Sequence, residues 1–275
     1  MTDAATPPER PAWPYPRWVA HRGAGKLAPE NTLAAFRVGA SHGYRMFECD
    51  VKLSADGVPF LMHDASLQRT TNASKVLPAL VEYAQFAPDS GANLASLVGG
   101  DWHWGQLARL DAGGWHSRAF AGEPLPTLDS IAAFCIRNGY FLNIEIKPTP
   151  GTARHTGEVV AREAARLWAG QAVPPLLTSF EPDALRGAMH AQPELPRGLL
   201  LDTLWTGWLE MAQTLNCRAI VCNHALWDHG SVAQAHSAGL RTLSYTVNDE
   251  WAAQRLIDLG TDGIITDRVD LFSPA

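Results

Sequence analysis

The sequence predicts an α/β protein folded as a single TIM (β/α)8 barrel with a loop insertion after the second strand. Three observations carry that prediction. Eight short β-rich runs alternate with stretches of helical spacing, the pattern of parallel strands joined by crossover helices. The chain has 275 residues, slightly more than the ~250 such a barrel takes. No large shift of composition divides it, so residues 1–275 read as one domain. An open, doubly wound sheet is the architectural alternative.

The elements follow in order. The first strand is 17–21 (RWVAH). Residues 30–42 set Leu33, Phe36 and Ala40 on one stripe, and Gly43 ends the run. The second strand is 46–52 (MFECDVK), and a short extra strand at 59–62 belongs to the loop after it. Between His63 and Thr127 lies a connection too long for a βα loop. It is read as an insertion over one mouth of the barrel, about 66–125. It includes a helical stretch (ALVEYAQF), a small-residue stretch (SGANLASLVGG) and Trp102, Trp104 and Trp115. Thr127 caps the helix LDSIAAFCIRN, with Gly139 as its stop. The third strand is 141–147 (FLNIEIK), and residues 157–169 place Val159, Val160, Ala164 and Leu167 at helical spacing. Strands at 176–179, 197–201, 219–222, 241–246 and 263–266 complete the eight. Asn248 caps DEWAAQRLIDL, which ends at Gly260.

Composition narrows the class. The chain is 46% hydrophobic and 18% charged, too apolar for a disordered segment. Its net charge of −6 and pI near 5.9 exclude a basic nucleic-acid binder. No stretch approaches ~18 uninterrupted apolar residues, so no membrane insertion is expected. The first residues lack a signal-peptide pattern, and their five prolines from Pro7 to Pro16 read as an extended lead-in. Cys49, Cys135, Cys217 and Cys222 form no CxxC pair and read as buried thiols of a cytoplasmic protein.

The chemistry concentrates at strand ends. Side chains alternate along a strand, so Glu48 and Asp50 share one face and Phe47 and Cys49 the other. Asn143, Glu145 and Lys147 share a face in the same way. These two strands are sequence neighbours, so the three carboxylates converge. Buried like charges need a cation or a shared proton, and all-oxygen ligation suits one divalent ion, Mg²⁺ or Ca²⁺, rather than Zn²⁺. A salt bridge to Arg22 or Lys147 is the bland alternative. His21 emerges at the end of the first strand and His63 follows the carboxylate strand, both placed for proton transfer. Arg22, Lys147 and the ion would neutralise a phosphodiester and its transition state. Together they set four positive charges against three carboxylates, so the global −6 does not argue against an anionic substrate. The remaining histidines are read as structural: His103 and His116 among the tryptophans of the insertion, His42, His190 and His236 in or near helices, His155, His224 and His229 in loops or turns, with His224, just after the sixth strand, kept as a minor candidate.

The motifs HRG (21–23), PENT (29–32), E-x-D (48–50), HD (63–64), E-x-K (145–147), YTVN (245–248) and DGIITD (262–267), in this order, resemble the glycerophosphodiester phosphodiesterases. The resemblance runs from Trp13 to Asp270. It looks nearest to the cytosolic bacterial branch associated with glycerol-3-phosphate uptake. It implies metal-dependent hydrolysis of glycerophosphodiesters to glycerol 3-phosphate and an alcohol, through a cyclic phosphate. His21 and His63 would be base and acid, Glu48, Asp50 and Glu145 the metal ligands, and Arg22 and Lys147 phosphate contacts. Tyr245, where many members have Trp, would pack on the glycerol carbons. Two other functions are kept open: a phospholipase D-like or cyclising lyase acting on lysophospholipids, and a non-catalytic phosphate-ester binding module. The expected partner is a small glycerophosphodiester, with the chain a monomer or homodimer.

Overall fold

The computed structural model describes residues 12–82 and 97–274. The prolines up to Pro11, the second half of ALVEYAQF and the first part of the small-residue stretch fall outside those residues.

The chain alternates strand and helix: β1 (Trp18–Ala20), α1 (Leu33–Ser41), β2 (Met46–Leu53), β3 (Pro59–Leu61), α2 (Ala73–Glu82), α3 (Trp104–Leu107), α4 (Leu128–Asn138), β4 (Phe141–Ile146), α5 (Ala153–Leu167), β5 (Leu176–Ser179), α6 (Pro182–Ala191), β6 (Arg197–Leu201), α7 (Trp208–Thr214), β7 (Ala219–Asn223), α8 (His229–Ser237), β8 (Arg241–Tyr245), α9 (Glu250–Asp258) and β9 (Gly263–Thr266). Eight strands pair in parallel, and β1 pairs with both β2 and β9, so the sheet closes. That closure decides for the barrel against the open sheet. The extra strand β3 folds back antiparallel on β2.

The alternation of side chains explains what the barrel holds. Outward residues Phe47, Cys49, Ile144 and Ile146 pack under the helices, with Phe36 of α1 stacked on Phe47 at 5.0 Å between ring centroids. Inward rows change character along each strand. They begin apolar, with Val19, Met46, Leu176, Val221, Leu243 and Ile265 filling the interior. They end polar, with Glu48, Asn143, Glu145, Lys147, Thr178 and Tyr245 facing a cavity. The C-terminal ends of the strands are therefore the chemical end.

Several boundaries differ from expectation for local reasons. Helix α1 starts at Leu33, because Thr32 accepts from the Ala35 N–H at 3.2 Å and caps it there. Glu30 and Asn31 are thus released from the helix. Asp249, not Asn248, caps α9, accepting from Ala252 N–H at 2.8 Å. Helix α5 begins at Ala153 and ends at Leu167, and His155 and His229 lie in α5 and α8 rather than in loops. Thr127 and Gly139 bound α4 as predicted, Gly139 in the left-handed region at φ 66°. All four cysteines are free and buried.

The insertion contains α2, α3 and short 3₁₀ turns. It has its own apolar core of Phe60, Leu67, Leu77, Trp102, Leu107 and Leu125. Several contacts tie it to the β1–α1 loop and the start of α1, Arg69 to Glu30 among them. Glu123 accepts from Ala34 N–H at 2.9 Å, and His116 Nε2 meets Lys26 O at 3.1 Å. Among the described residues, no helix is long and apolar enough to cross a membrane.

Candidate active site

The carboxylate trio forms because β2 and β4 pair in register, Glu48 beside Asn143 and Asp50 beside Glu145. One oxygen from each of Glu48, Asp50 and Glu145 lies within 4.8 Å of the others. All three residues are buried. Their charge is only partly answered. Arg22 Nε stands 3.2 Å and Lys147 Nζ 3.7 Å from Asp50, and Lys147 bonds Glu145 at 2.8 Å. Burial and the neighbouring Asp50 push the Glu48 carboxyl up to about 8. Burial would raise Asp50 as well, but Arg22, Lys147, His63 and the Asn31 amide hold it below the usual carboxylate range.

Two buried oxygens, Glu48 Oε1 and Asp50 Oδ1, accept no hydrogen bond from the protein. Leaving a buried charged acceptor unmatched is costly, so the set fits a hard cation better than it fits the protein alone.

The two histidines are built alike. His21 Nδ1 lies 2.6 Å from Asp267, and His63 Nδ1 lies 2.7 Å from Asp64. In each ring the carboxylate holds Nδ1 and leaves Nε2 for chemistry. His21 Nε2 is 3.7 Å from Glu48. Both histidines line one cavity of about 220 Å³ with Arg22, Glu48, Glu145 and Lys147. Their electrostatics diverge. Burial disfavours the charged form of His21, but the Asp267 bond and Glu48 outweigh it and raise its pKa. For His63, burial with Arg22 and Lys147 outweighs Asp50 and Asp64, and its pKa falls.

The backbone turns sharply to bring His21 to Asp267. Gly25 adopts φ 56°, and a Cβ there would sit 2.1 Å from the Asp267 carbonyl oxygen. Only glycine allows the β1–α1 loop to press on the end of β9 this closely.

The structure brings all eight predicted site residues to this end of the barrel. Seven line the cavity, Tyr245 with its hydroxyl donating to Leu201 O at 2.8 Å. Asp50 sits just beneath, fully buried. His224 lies in the turn after β7 and is not among the lining residues.

Other participants were missed. Asn31 donates to Asp50 at 2.7 Å and accepts from the Asp50 N–H at 3.0 Å. Asn248 donates to Asp267 at 3.0 Å. Glu30 accepts from Arg22 at 2.9 Å. Arg69 donates to Asp64 and to Glu30, tying the His63 loop to the Arg22 loop. Glu30, Asn31, Asp64, Asn248 and Asp267 all lie in recognised motifs, but their roles depend on contacts between distant segments. Lys52 has the same parity as Glu48 and Asp50, which could have flagged it. It is 4% exposed, and burial with the Lys147 charge pulls its ammonium down to about 8. Arg69 carries no local signal.

A second cavity, about 230 Å³, opens at the opposite end between Trp13, Tyr15, Arg218 and Arg241. It contains no carboxylate or histidine.

Comparison with known proteins agrees with this geometry. The model of the glycerophosphoryl diester phosphodiesterase family matches residues 21–271. A glycerophosphodiester phosphodiesterase of Caldanaerobacter subterraneus is 28% identical over 90% of this chain and 93% of its own. An Oleispira antarctica phosphodiesterase, solved with its product sn-glycerol-3-phosphate, superposes with a TM-score of 0.78 at 29% identity, covering 92% of this chain and 93% of that one. A glycerophosphodiester phosphodiesterase of Agrobacterium tumefaciens gives 0.74 at 27% identity, covering 94% of this chain and all of that one (100%). The barrel, the paired histidines and the matched family model lead to one assignment: the chain belongs to the glycerophosphoryl diester phosphodiesterase family and is an enzyme of that family.

Proposed function

We propose that this enzyme hydrolyses glycerophosphodiesters to sn-glycerol 3-phosphate and an alcohol, with His21 and His63 as the proton-transfer pair. The observation that carries the reading is the paired histidines, each held by a carboxylate at Nδ1 and both facing one cavity beside the carboxylate trio.

His21 is the first base, a role that needs its neutral ring; a cation held by Glu48 would offset the carboxylate charge that helps raise its pKa. His21 takes the proton of the glycerol 2-hydroxyl as that oxygen attacks phosphorus. His63, whose protonated ring the anionic phosphodiester would favour against the burial, Arg22 and Lys147 that lower its pKa, donates its proton to the departing alcohol oxygen as the phosphorus–oxygen bond breaks. The product of this step is a cyclic phosphate. The roles then exchange, as reversibility requires. His63 takes a proton from water as the water attacks phosphorus, and His21 returns its proton to the 2-oxygen as the ring opens. Asp267 and Asp64 keep each ring oriented throughout. Arg22 and Lys147 contact the phosphoryl oxygens, where cations stabilise developing charge. The Tyr245 ring packs against the glycerol carbons.

Glu48, Asp50 and Glu145 would hold one divalent cation, Mg²⁺ or Ca²⁺. Bound there, it would add Lewis-acid stabilisation of the phosphoryl oxygens. A cytoplasmic location is part of the same proposal, supported by the four buried free thiols.

A coupled glycerol-3-phosphate assay over a panel of diesters and metals tests the reading. Release of glycerol 3-phosphate that stops with chelator and returns with Mg²⁺ or Ca²⁺ supports it. Phosphorus NMR showing a cyclic phosphate as the final product would favour the lyase alternative. Tight binding without turnover would favour the binding module.

A further inference from the structure

We propose that the cavity beyond His63 receives the leaving alcohol, and that Lys52 makes it select alcohols bearing hydroxyl or carboxylate oxygens over those bearing a quaternary ammonium. The inference rests on the phosphodiesterase reading above and names the substrate class of the same site.

Two adjoining cavities divide the site. The first reaches His21 and Arg22. The second, about 190 Å³, shares His63, Glu145, Lys147 and Phe180 with it but reaches neither His21 nor Arg22. With His63 as the acid, the departing oxygen leaves on the His63 side. The remainder of the alcohol then lies in the second cavity. At about 190 Å³ it has room for a small polar headgroup.

The second cavity adds Lys52, Ser179 and Glu181 to its walls. Ser179 Oγ is already engaged, donating to Ile146 O at 2.7 Å and accepting from Glu181 N–H at 3.1 Å. Glu181 is exposed at the outer rim. Lys147 is held by Glu145. Lys52 differs from all of these. Its side chain is almost wholly buried, yet its amino group makes one long hydrogen bond, to Lys147 O at 3.3 Å. A lysine amino group offers up to three donors, and buried donors seek acceptors. A hydroxyl or carboxylate on the leaving alcohol supplies one. A trimethylammonium group supplies none, and of the two carboxylates lining the cavity Glu145 is already paired with Lys147 and Glu181 stands exposed.

The test uses the full chain with its activating metal and compares kcat/KM for glycerophosphoglycerol, glycerophosphoserine and glycerophosphocholine. The wild type is expected to prefer the first two. In Lys52→Met, the preference for glycerophosphoglycerol over glycerophosphocholine should fall about tenfold or more, the loss of one hydrogen bond from a charged donor. Lys52→Arg should retain the preference. Because the ratio is taken within one variant, a reduced folded fraction or a disturbed reacting centre cancels. An unchanged ratio in Lys52→Met, or a wild type preferring the choline diester, overturns the proposal. A wild type that hydrolyses none of the three overturns the phosphodiesterase reading beneath it, a different result from a flat ratio.

Discussion

Arg197, near the start of β6, and the carboxylate trio at the far ends of β2 and β4 are both buried charge, and they are treated in opposite ways. Arg197 is 1% exposed. Its guanidinium donates to the backbone oxygens of Leu195, Leu215, Gln192, Pro193 and Asn216, two of these bonds reaching 3.3 Å. Burial lowers its pKa, but every one of its three nitrogens is engaged. Arg197 ties the loops before β6 and β7 together and is not among the residues lining the active-site cavity. The trio keeps two oxygens without a hydrogen bond, beside a cavity. The difference teaches that burial of a charge is not by itself a sign of function. What marks the functional charge is what the fold leaves unsatisfied.

Substitutions at the two regions should therefore separate activity from stability. The largest effect is expected at the reacting pair. His21→Ala should lower kcat by about 10²–10⁴-fold, the usual span for a lost acid–base group. Near-full activity in both His21→Ala and His63→Ala would remove the histidines from the mechanism. Glu145→Gln should weaken metal binding and raise the metal concentration the reaction needs, without lowering the melting temperature in chelator. A large fall in stability would mean that the trio is a structural network after all.

Arg197→Met should behave the other way. It abandons several buried acceptors at about 1–3 kcal/mol each, so a loss of roughly 3–4 kcal/mol in urea unfolding is expected. Activity per folded molecule should hold. A change below about 1 kcal/mol would show that the loops satisfy their carbonyls without it.

Metal addition sharpens the same contrast. A dication at a hundred times its dissociation constant should stabilise the wild type by about 2.7 kcal/mol. In Asp50→Asn that gain should shrink, while in Arg197→Met it should persist. Equal gains in all three proteins would place the ion elsewhere. The smallest effect belongs to a site remote from both regions. Thr127→Ala removes the α4 cap and should cost about 1 kcal/mol, with kcat unchanged.

The sequence by itself determined the eight barrel strands, because short β-rich runs between helical stretches mark parallel strands covered on both faces without any knowledge of neighbours. The period of two along a strand put Glu48 with Asp50 and Asn143 with Glu145 and Lys147, so the trio was legible before the fold. His21 and His63 were legible as histidines at strand ends. The caps at Thr127 and Gly139 were legible because capping is a bond between residues three or four apart. Asn248 was misread for the complementary reason: as a local cap it competes with Asp249, and its long-range bond to Asp267 decides the contest. Only the tertiary structure could supply Asp267 as the partner of His21, 246 positions away, or Arg69 as the link between Glu30 and Asp64. Side-chain type and spacing fix which face a residue occupies. Which distant segment meets that face is set by barrel closure, when β9 comes to lie beside β1 and the loops at one end are forced together.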